Sequence, residues 1–378
     1  MMVKTRTSIL ISAVLLISVF LLQDCRHDAP LSHNATDADS LYVGRPYVQP
    51  VIPHVIHFYR PIVSPSNNPM TYEGVQLGRM LFYDSTLSLT RKVSCGHCHK
   101  QQYAFGDNTP LSQNVLGFTV RNTPPLANMG MNPMFFWDGR QGSLEDCVND
   151  ALNHEMHPDF VADINYLSSV PVYTYLFKKA FGRPGDITEK KIVLAMSQFI
   201  RTMVSVNAPI DKYYRGEIQL YGADSAGLAA FFDNNLGDCF HCHFDAIYLT
   251  FAIQNPSGIF ANNAIDSVTS VFQFRDKGRG AIDGDTMDYG KFKVPTLRNV
   301  AVTGPYMHDG RYSTLEQVIG HYSDSLKPSP NVNPLGMTHI AQGGLHLSAQ
   351  QKANLLAFLN LMTDTAFLHN PALSNPFH

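Results

Sequence analysis

Cys95-Gly96-His97-Cys98-His99 sets two thiols three residues apart with an imidazole directly behind the second, and the spacing returns at Cys239-Phe240-His241-Cys242-His243. Thiols so placed can add to the two vinyl groups of one haem while the following imidazole takes the iron, which is the attachment chemistry of c-type haem. In a chain of 378 residues with 6 Cys and 16 His, chance supplies roughly 0.004 copies of the pattern. Two copies that take four of the six cysteines are therefore a strong signal for two covalently bound haem c groups. A redox disulfide or a zinc site is the competing use of such spacing. Zinc would call for two more close ligands per motif, and neither copy has a second Cys pair beside it.

The composition, 44% hydrophobic and 16% charged, is that of a globular chain whose length allows two or three domains. A net charge of −3 offers nothing to nucleic acid. Lys4 and Arg6 lead into an uncharged run over residues 8–22, so residues 1–24 read as a secretory signal, too short and too abruptly ended for a membrane span. Cys25 stands where a lipoprotein is cleaved and acylated, although Asp24 is a poor match to the small residue such cleavage prefers. A lipid anchor at Cys25 and plain cleavage nearby both stand at this point. Haem c is attached outside the bacterial cytoplasm, which agrees with export to the periplasm. Cys147 is left over and reads as a buried thiol in a helix.

Residues 25–69, rich in Pro, Asn, Ser and His without a sustained period, form an extended or flexible leader. Val75, Leu77, Leu81 and Phe82 then fit a short helix ahead of the first motif, and residues 227–232 repeat that arrangement ahead of the second. Helix, loop and haem motif thus occur twice, which predicts duplicated units over 70–215 and 216–370. Between the motifs Ser143 with Asp146 caps a helix through Leu152, and Thr188 caps another carrying Ile192, Met196, Phe199 and Met203. Residues 244–290 read as long loops. Ser313 with Glu316 is expected to cap a helix through about Tyr322, and Ser348 with Gln351 a last one. The fold class is mostly α: two cytochrome c-like domains, each with one haem, and long loops.

The sixth coordination position decides what a haem does, because an open site binds peroxide while a second protein ligand makes an electron relay. No histidine occurs from Lys100 to Asn153, and the cluster Met129, Met131 and Met134 reads as packing, so the first haem is expected to keep an open or water-bound face. Cleaving an O–O bond needs a group that moves a proton between the two oxygens. Glu155 is the candidate, His154 and His157 are rivals, and a solvated surface carboxylate is the plain alternative. For the second haem, Met307 lies on a Gly/Pro-bracketed loop able to approach an iron, while Tyr322 shares an inward helical face with Leu315 and Val318 and is otherwise core. Trp137, the single tryptophan, is either a core anchor or an electron route between haems.

These motifs together resemble the bacterial diheme cytochrome c peroxidase family, which includes the MauG-type diheme oxidases. The likeness runs from Leu77-Gly78-Arg79-Met80-Leu81-Phe82-Tyr83-Asp84 through both haem motifs, Arg121-Asn122-Thr123-Pro124, Phe136-Trp137-Asp138-Gly139-Arg140 and Glu155-Met156. It continues through Val294-Pro295-Thr296-Leu297-Arg298-Asn299 to Pro305-Tyr306-Met307-His308-Asp309-Gly310 and residues up to about 359, leaving 1–70 uncovered. The resemblance implies a peroxidatic haem at His99 and an electron-accepting haem at His243, with Trp137 between them and Glu155 as the distal catalytic acid-base. It also implies one Ca2+ held by Asn122, Thr303 and Pro305, whose oxygen donors suit a hard cation. Hydrogen peroxide and a small c-type cytochrome or other redox protein donor are the implied partners, and a homodimer the usual assembly.

Two departures matter. Relatives that need reductive activation carry a displaceable histidine where this chain has Asn114, which implies activity without prior reduction. At the place of the methionine ligand of typical peroxidases stands Tyr322, and MauG-type enzymes use a tyrosine there. The haem 2 ligand is thus expected to be Tyr322, with Met307 second. The implied function is reduction of hydrogen peroxide to water. Its alternative is a MauG-type oxidation of a protein or small molecule through a high-valent diheme state, and a plain two-haem electron carrier is a third reading.

Overall fold

The computed structural model describes residues 44–49, 62–182, 186–243, 260–332 and 339–377. The signal segment, Cys25, most of the leader and part of the loop after the second motif lie outside the described residues. In the first half the helices are α1 (Tyr72–Tyr83), α2 (Cys95–Cys98), α3 (Leu144–Ala151), α4 (Phe160–Ser169), α5 (Pro171–Phe181) and α6 (Glu189–Arg201). In the second they are α7 (Pro209–Tyr214), α8 (Gly222–Phe232), α9 (Phe240–His243), α10 (Gly280–Asp283), α11 (Leu315–Asp324) and α12 (Ala349–Asn360), followed by α13 (Thr365–Leu368). Strand is confined to two short antiparallel hairpins, β1 (Gln113–Asn114) with β2 (Gly117–Phe118) and β3 (Phe260–Ala261) with β4 (Phe292–Lys293).

Helix starts follow the side chains that can accept an orphan N–H. Ser143 accepts from Asp146, Thr188 from Lys191, and Ser348 from Gln351, which answers with its own side chain. The box expected at Ser313 and Glu316 sits one residue later: Thr314 is the N-cap and Gln317 reciprocates. Pairing of Tyr306 with Tyr312 keeps the chain extended through Thr314, so Leu315, not Thr314, opens the helix and turns into the core. Beyond α3 the chain does not stop at Leu152 but winds on as a π turn over Leu152–Met156, closed by the His157 N–H on the Leu152 carbonyl at 3.2 Å.

Two hydrophobic cores are built alike. In one, α1 crosses α6 with Leu77, Leu81, Phe82 and Phe199 inside; in the other, α8 crosses α12 with Phe231, Leu355 and Phe358 inside. Phe82 and Phe199 meet edge-on with centroids 5.4 Å apart, and Phe231 and Phe358 meet at 5.1 Å. A side chain at Gly78 would run into the Ala195 carbonyl and one at Gly227 into that of Asn354, so each crossing needs its glycine. The loops repeat as well. Asn128 and Asn299 are both left-handed, Asn128 taking the Met203 carbonyl and Asn299 that of Met362, and their side-chain oxygens accept from Ser205 and Asp364.

The ends tie these halves together. Past Asp364 the tail returns to the first core, where Phe367, Leu368 and Leu373 are buried and Phe367 packs edge-on against Phe105. Gln101 and Tyr83 donate to tail carbonyls at Asn370 and Leu373. The described part of the leader is extended but pinned: Pro46 bridges Thr71, Val63 accepts from Arg201, and buried Asn68 donates to Glu145. On α4, buried Asp163 faces Arg91 at 3.7 Å with one oxygen, while the other has no partner.

An added methyl at either crossing displaces backbone, so Gly78→Ala and Gly227→Ala are each expected to cost about 3 kcal/mol or more in chemical denaturation. Losses below about 1 kcal/mol would show that the helices can part freely. Burial pushes the Asp163 carboxyl up to about 6, against an ordinary value near 4. The native state then holds more protons than the unfolded one between these values, so this contribution to stability is present at low pH and lost as pH rises to about 6. Asp163→Asn should therefore stabilise by about 1–3 kcal/mol at pH 7.5 and not at pH 4; equal melting shifts at both would contradict the assignment.

Candidate haem sites

The second motif opens onto a cavity lined by Cys239, Cys242 and His243 together with Trp137, Met307 and Tyr322. His243 is half-buried, and loss of water around its ring pushes the imidazole down to about 4, the neutral form a metal takes. Its Nδ1 makes no hydrogen bond of good geometry, although the Pro295 carbonyl lies close enough to raise its basicity. Cys239 and Cys242 are not joined, and burial pushes their thiols up to about 12 and about 11. A redox disulfide pair needs the opposite shift. Among the described residues no three His, Cys, Asp or Glu side chains gather as an ion site. Two unpaired thiols and a neutral imidazole on one cavity wall fit a covalently held haem.

Both rival ligands reach this cavity. Tyr322 on α11 lies in the field of Cys239 and Cys242, and burial raises its phenol well above the ordinary value. Met307 sits on the loop in left-handed conformation, with its sulfur accepting from Asn263 Nδ2 at 3.1 Å. Asn263 was invisible in the sequence, where a lone Asn in a polar loop carries no period.

At the first motif His99 is likewise half-buried, and loss of water pushes its imidazole down, but its Nδ1 meets the Phe105 carbonyl at 2.6 Å. Such a bond fixes the ring and raises the basicity of the other nitrogen. Burial again pushes Cys95 up to about 12 and Cys98 up to about 11. The β1–β2 hairpin lies against this motif, Cys98 Sγ standing 3.7 Å from the Gln113 carbonyl. On that hairpin Asn114 donates to Glu155 Oε2 at 2.6 Å, and the Glu155 carboxylate is near enough to Cys98 to raise its thiol. His154 points outward and bonds the Asp150 carbonyl, and Met129 and Met131 are buried among side chains. Of the three proton-transfer candidates, then, Glu155 is the one joined to the hairpin beside the motif. Cys147, expected to be buried, is half-buried on α3 and packs against the first core, with its thiol pushed up to about 12 by desolvation.

Trp137 stands at the seam. Its indole N–H donates to the Asn122 carbonyl at 2.8 Å, the Asn122 N–H to the His308 carbonyl at 2.8 Å, and the Lys293 N–H to the Trp137 carbonyl at 2.7 Å. Arg121 joins Asp138 on one side to Asp276 on the other, holding its guanidinium firmly charged. Asn122, Thr303 and Pro305 share the cavity wall. The Asn122 amide nitrogen bonds the Thr109 and Pro110 carbonyls, so its oxygen is what it has left to offer a cation. Lys293, buried in the same wall and pushed down to about 7 by burial, is a further residue that sequence reasoning missed.

Residues 72–219 match the model of the di-haem cytochrome c peroxidase family. The chain is 32% identical over 316 residues to the methylamine utilization protein MauG of Methylorubrum extorquens, covering 81% of this chain and 83% of that one. It is 30% identical to the cytochrome c551 peroxidase of Pseudomonas aeruginosa over 78% of this chain and 80% of that one. The solved structure of a MauG-like protein associated with microbial copper homeostasis superposes with a TM-score of 0.75 at 32% identity, covering 85% of this chain and 98% of that chain. Mostly helical and similar along most of its length to both kinds of relative, the chain belongs to the di-haem cytochrome c peroxidase family.

Proposed function

We propose that the protein is an exported two-haem enzyme that reduces hydrogen peroxide to water. Its two domains, 70–215 and 216–370, would each hold one haem c, at Cys95, Cys98 and His99 and at Cys239, Cys242 and His243. Haem bound at His99 supplies the redox chemistry for peroxide, two electrons and two protons yielding two waters. The observation that carries this reading is the Asn114–Glu155 bond at 2.6 Å beside the first motif. A carboxylate held by an amide donor is aimed rather than solvated, and can take the proton from the near peroxide oxygen and give it to the leaving one. Asn114 also occupies the place of the displaceable histidine, which supports activity in the resting ferric enzyme.

Electrons would come from a small c-type cytochrome or similar protein and pass the seam at Trp137, whose indole is fixed by its bond to Asn122. A Ca2+ ion on Asn122, Thr303 and Pro305 would stiffen that seam. Export to the periplasm follows from the signal-like first residues, with Cys25 as the site of any lipid anchor. Among the described residues no helix is long and apolar enough to cross a membrane. One observation favours the MauG-type reading instead: Tyr322 lines the same cavity as Cys239, Cys242 and His243. A phenolate ligand stabilises ferric iron and disfavours electron uptake at the second site.

Steady-state peroxide consumption by the as-isolated protein with a reduced cytochrome, paired with electron paramagnetic resonance, separates these readings. A high-spin ferric signal with turnover is expected; two low-spin signals without any reaction would sink an enzymatic role, and peroxide reaction without donor turnover would favour the oxidase. Glu155→Gln should lower the peroxide rate about 10²–10⁴-fold and Asn114→Ala about 10-fold, with both haems retained. For the second site, Tyr322→Phe should change the low-spin spectrum and Met307→Leu should not; the reverse pattern would make Met307 the ligand.

A further inference from the structure

Asn263 stands between the two candidate ligands of the second haem. Its Nδ2 donates to the Met307 sulfur at 3.1 Å. All three residues line the cavity of the second motif. The backbone that carries this amide is held from behind. The Asn263 carbonyl accepts from Nε2 of buried His321 at 2.9 Å, and the His321 ring lies between those of Tyr312 and Tyr322. On the next turn of chain, Asn262 Oδ1 takes the Ala264 N–H while Asn262 Nδ2 is fixed to Ser329 and Pro330. Lys327 closes the segment by donating to the Ala264 carbonyl at 2.9 Å. The Asn263 side chain therefore leaves a fixed stretch of backbone, and its amide donates from there to the Met307 sulfur.

A thioether binds iron through a sulfur lone pair, and a donor already on that sulfur both occupies a lone pair and fixes where the side chain can point. The geometry points to Asn263 as the positioning residue that selects the sixth ligand: by engaging the Met307 sulfur it keeps the thioether off the iron and leaves that face to Tyr322. This inference rests on the reading of Tyr322 as ligand given above. It explains why a methionine on a closely approaching loop and a tyrosine on α11 can share one cavity without competing.

The test uses ferric holoprotein and the near-infrared sulfur-to-iron charge-transfer band that marks methionine ligation, read with electron paramagnetic resonance. Wild type should lack the band. Asn263→Leu should gain it, the ratio of the two ligand states moving about five-fold toward Met307, the size of one neutral hydrogen bond. Adding Met307→Leu to that variant should abolish the band. Asn263→Asp, nearly the same shape without the N–H donor, should act like Asn263→Leu and serves if the leucine variant does not fold. A wild type without the band whose Asn263 variants also lack it overturns the selecting role while Tyr322 remains the ligand. A band already present in wild type overturns the Tyr322 reading itself.

Discussion

What each haem site can become depends on the eighth residue after the cap of one helix. Ser143 and Thr314 cap α3 and α11 at matching places behind matching glycine turns, Gly139 and Gly310, both with positive φ. Counting on from each cap leads to Ala151 in one half and Tyr322 in the other. A phenol can close a coordination position and a methyl group cannot. In the first half the helix then loosens into the π turn that carries Glu155, a departure from α winding that proteins tend to keep only where a side chain must be re-aimed. One duplicated frame therefore yields a candidate relay and a candidate reaction site from a change of residue and a change of winding.

The seam gives this asymmetry its use, since two sites that exchange electrons must keep a constant separation. Ser205 is bonded by both left-handed asparagines, Asn128 through its backbone and Asn299 through its hydroxyl, while Asp364 closes on Asn299 and on Ser205. All four are buried. Each such bond contributes only about 1 kcal/mol, but breaking one strands a buried partner at a cost of about 1–3 kcal/mol, so the halves resist sliding. Trp137 is held by a separate pair of bonds, since Asn122, whose carbonyl accepts its indole hydrogen, gives its own N–H to the His308 carbonyl. Arg298, wholly buried against Asp211, adds a pair whose loss would leave an uncompensated charge in the second core.

Much of this was legible because local chemistry wrote it. The thiol and imidazole spacing, the caps at Ser143, Thr188 and Ser348, and the apolar face of α6 depend on neighbours within one or two turns. The cap before α11 slipped by one residue because a cross-loop bridge between Tyr306 and Tyr312 sets where the chain stops being extended, and no local pattern states that. Asn114 could be seen as a missing histidine, but not as the donor to Glu155, which lies forty-one residues away in the chain. Asn263, Lys293 and the return of the tail to Phe105 were out of reach for the same reason. Their partners come from other elements, and a sequence lists residues without saying which elements will touch.

The proximal sides of the two sites differ independently of what stands opposite. His99 gives Nδ1 to the Phe105 carbonyl at 2.6 Å, which makes its other nitrogen a stronger donor and holds electron density on the metal it would bind. His243 lacks a bond of that quality. With a thioether opposite, the weaker imidazole would leave the second site the more readily reduced, so it would hold arriving electrons until peroxide made the His99 site the stronger acceptor. With a phenolate opposite, the distal ligand works against that proximal difference, and the two sites come closer in potential. A pair of near-matched sites shares an oxidising equivalent, whereas a graded pair passes electrons one way. On the proposed reading, peroxidase and oxidase chemistry could both be reached from one backbone, and the choice between them would fall to the few atoms around Tyr322 and Met307.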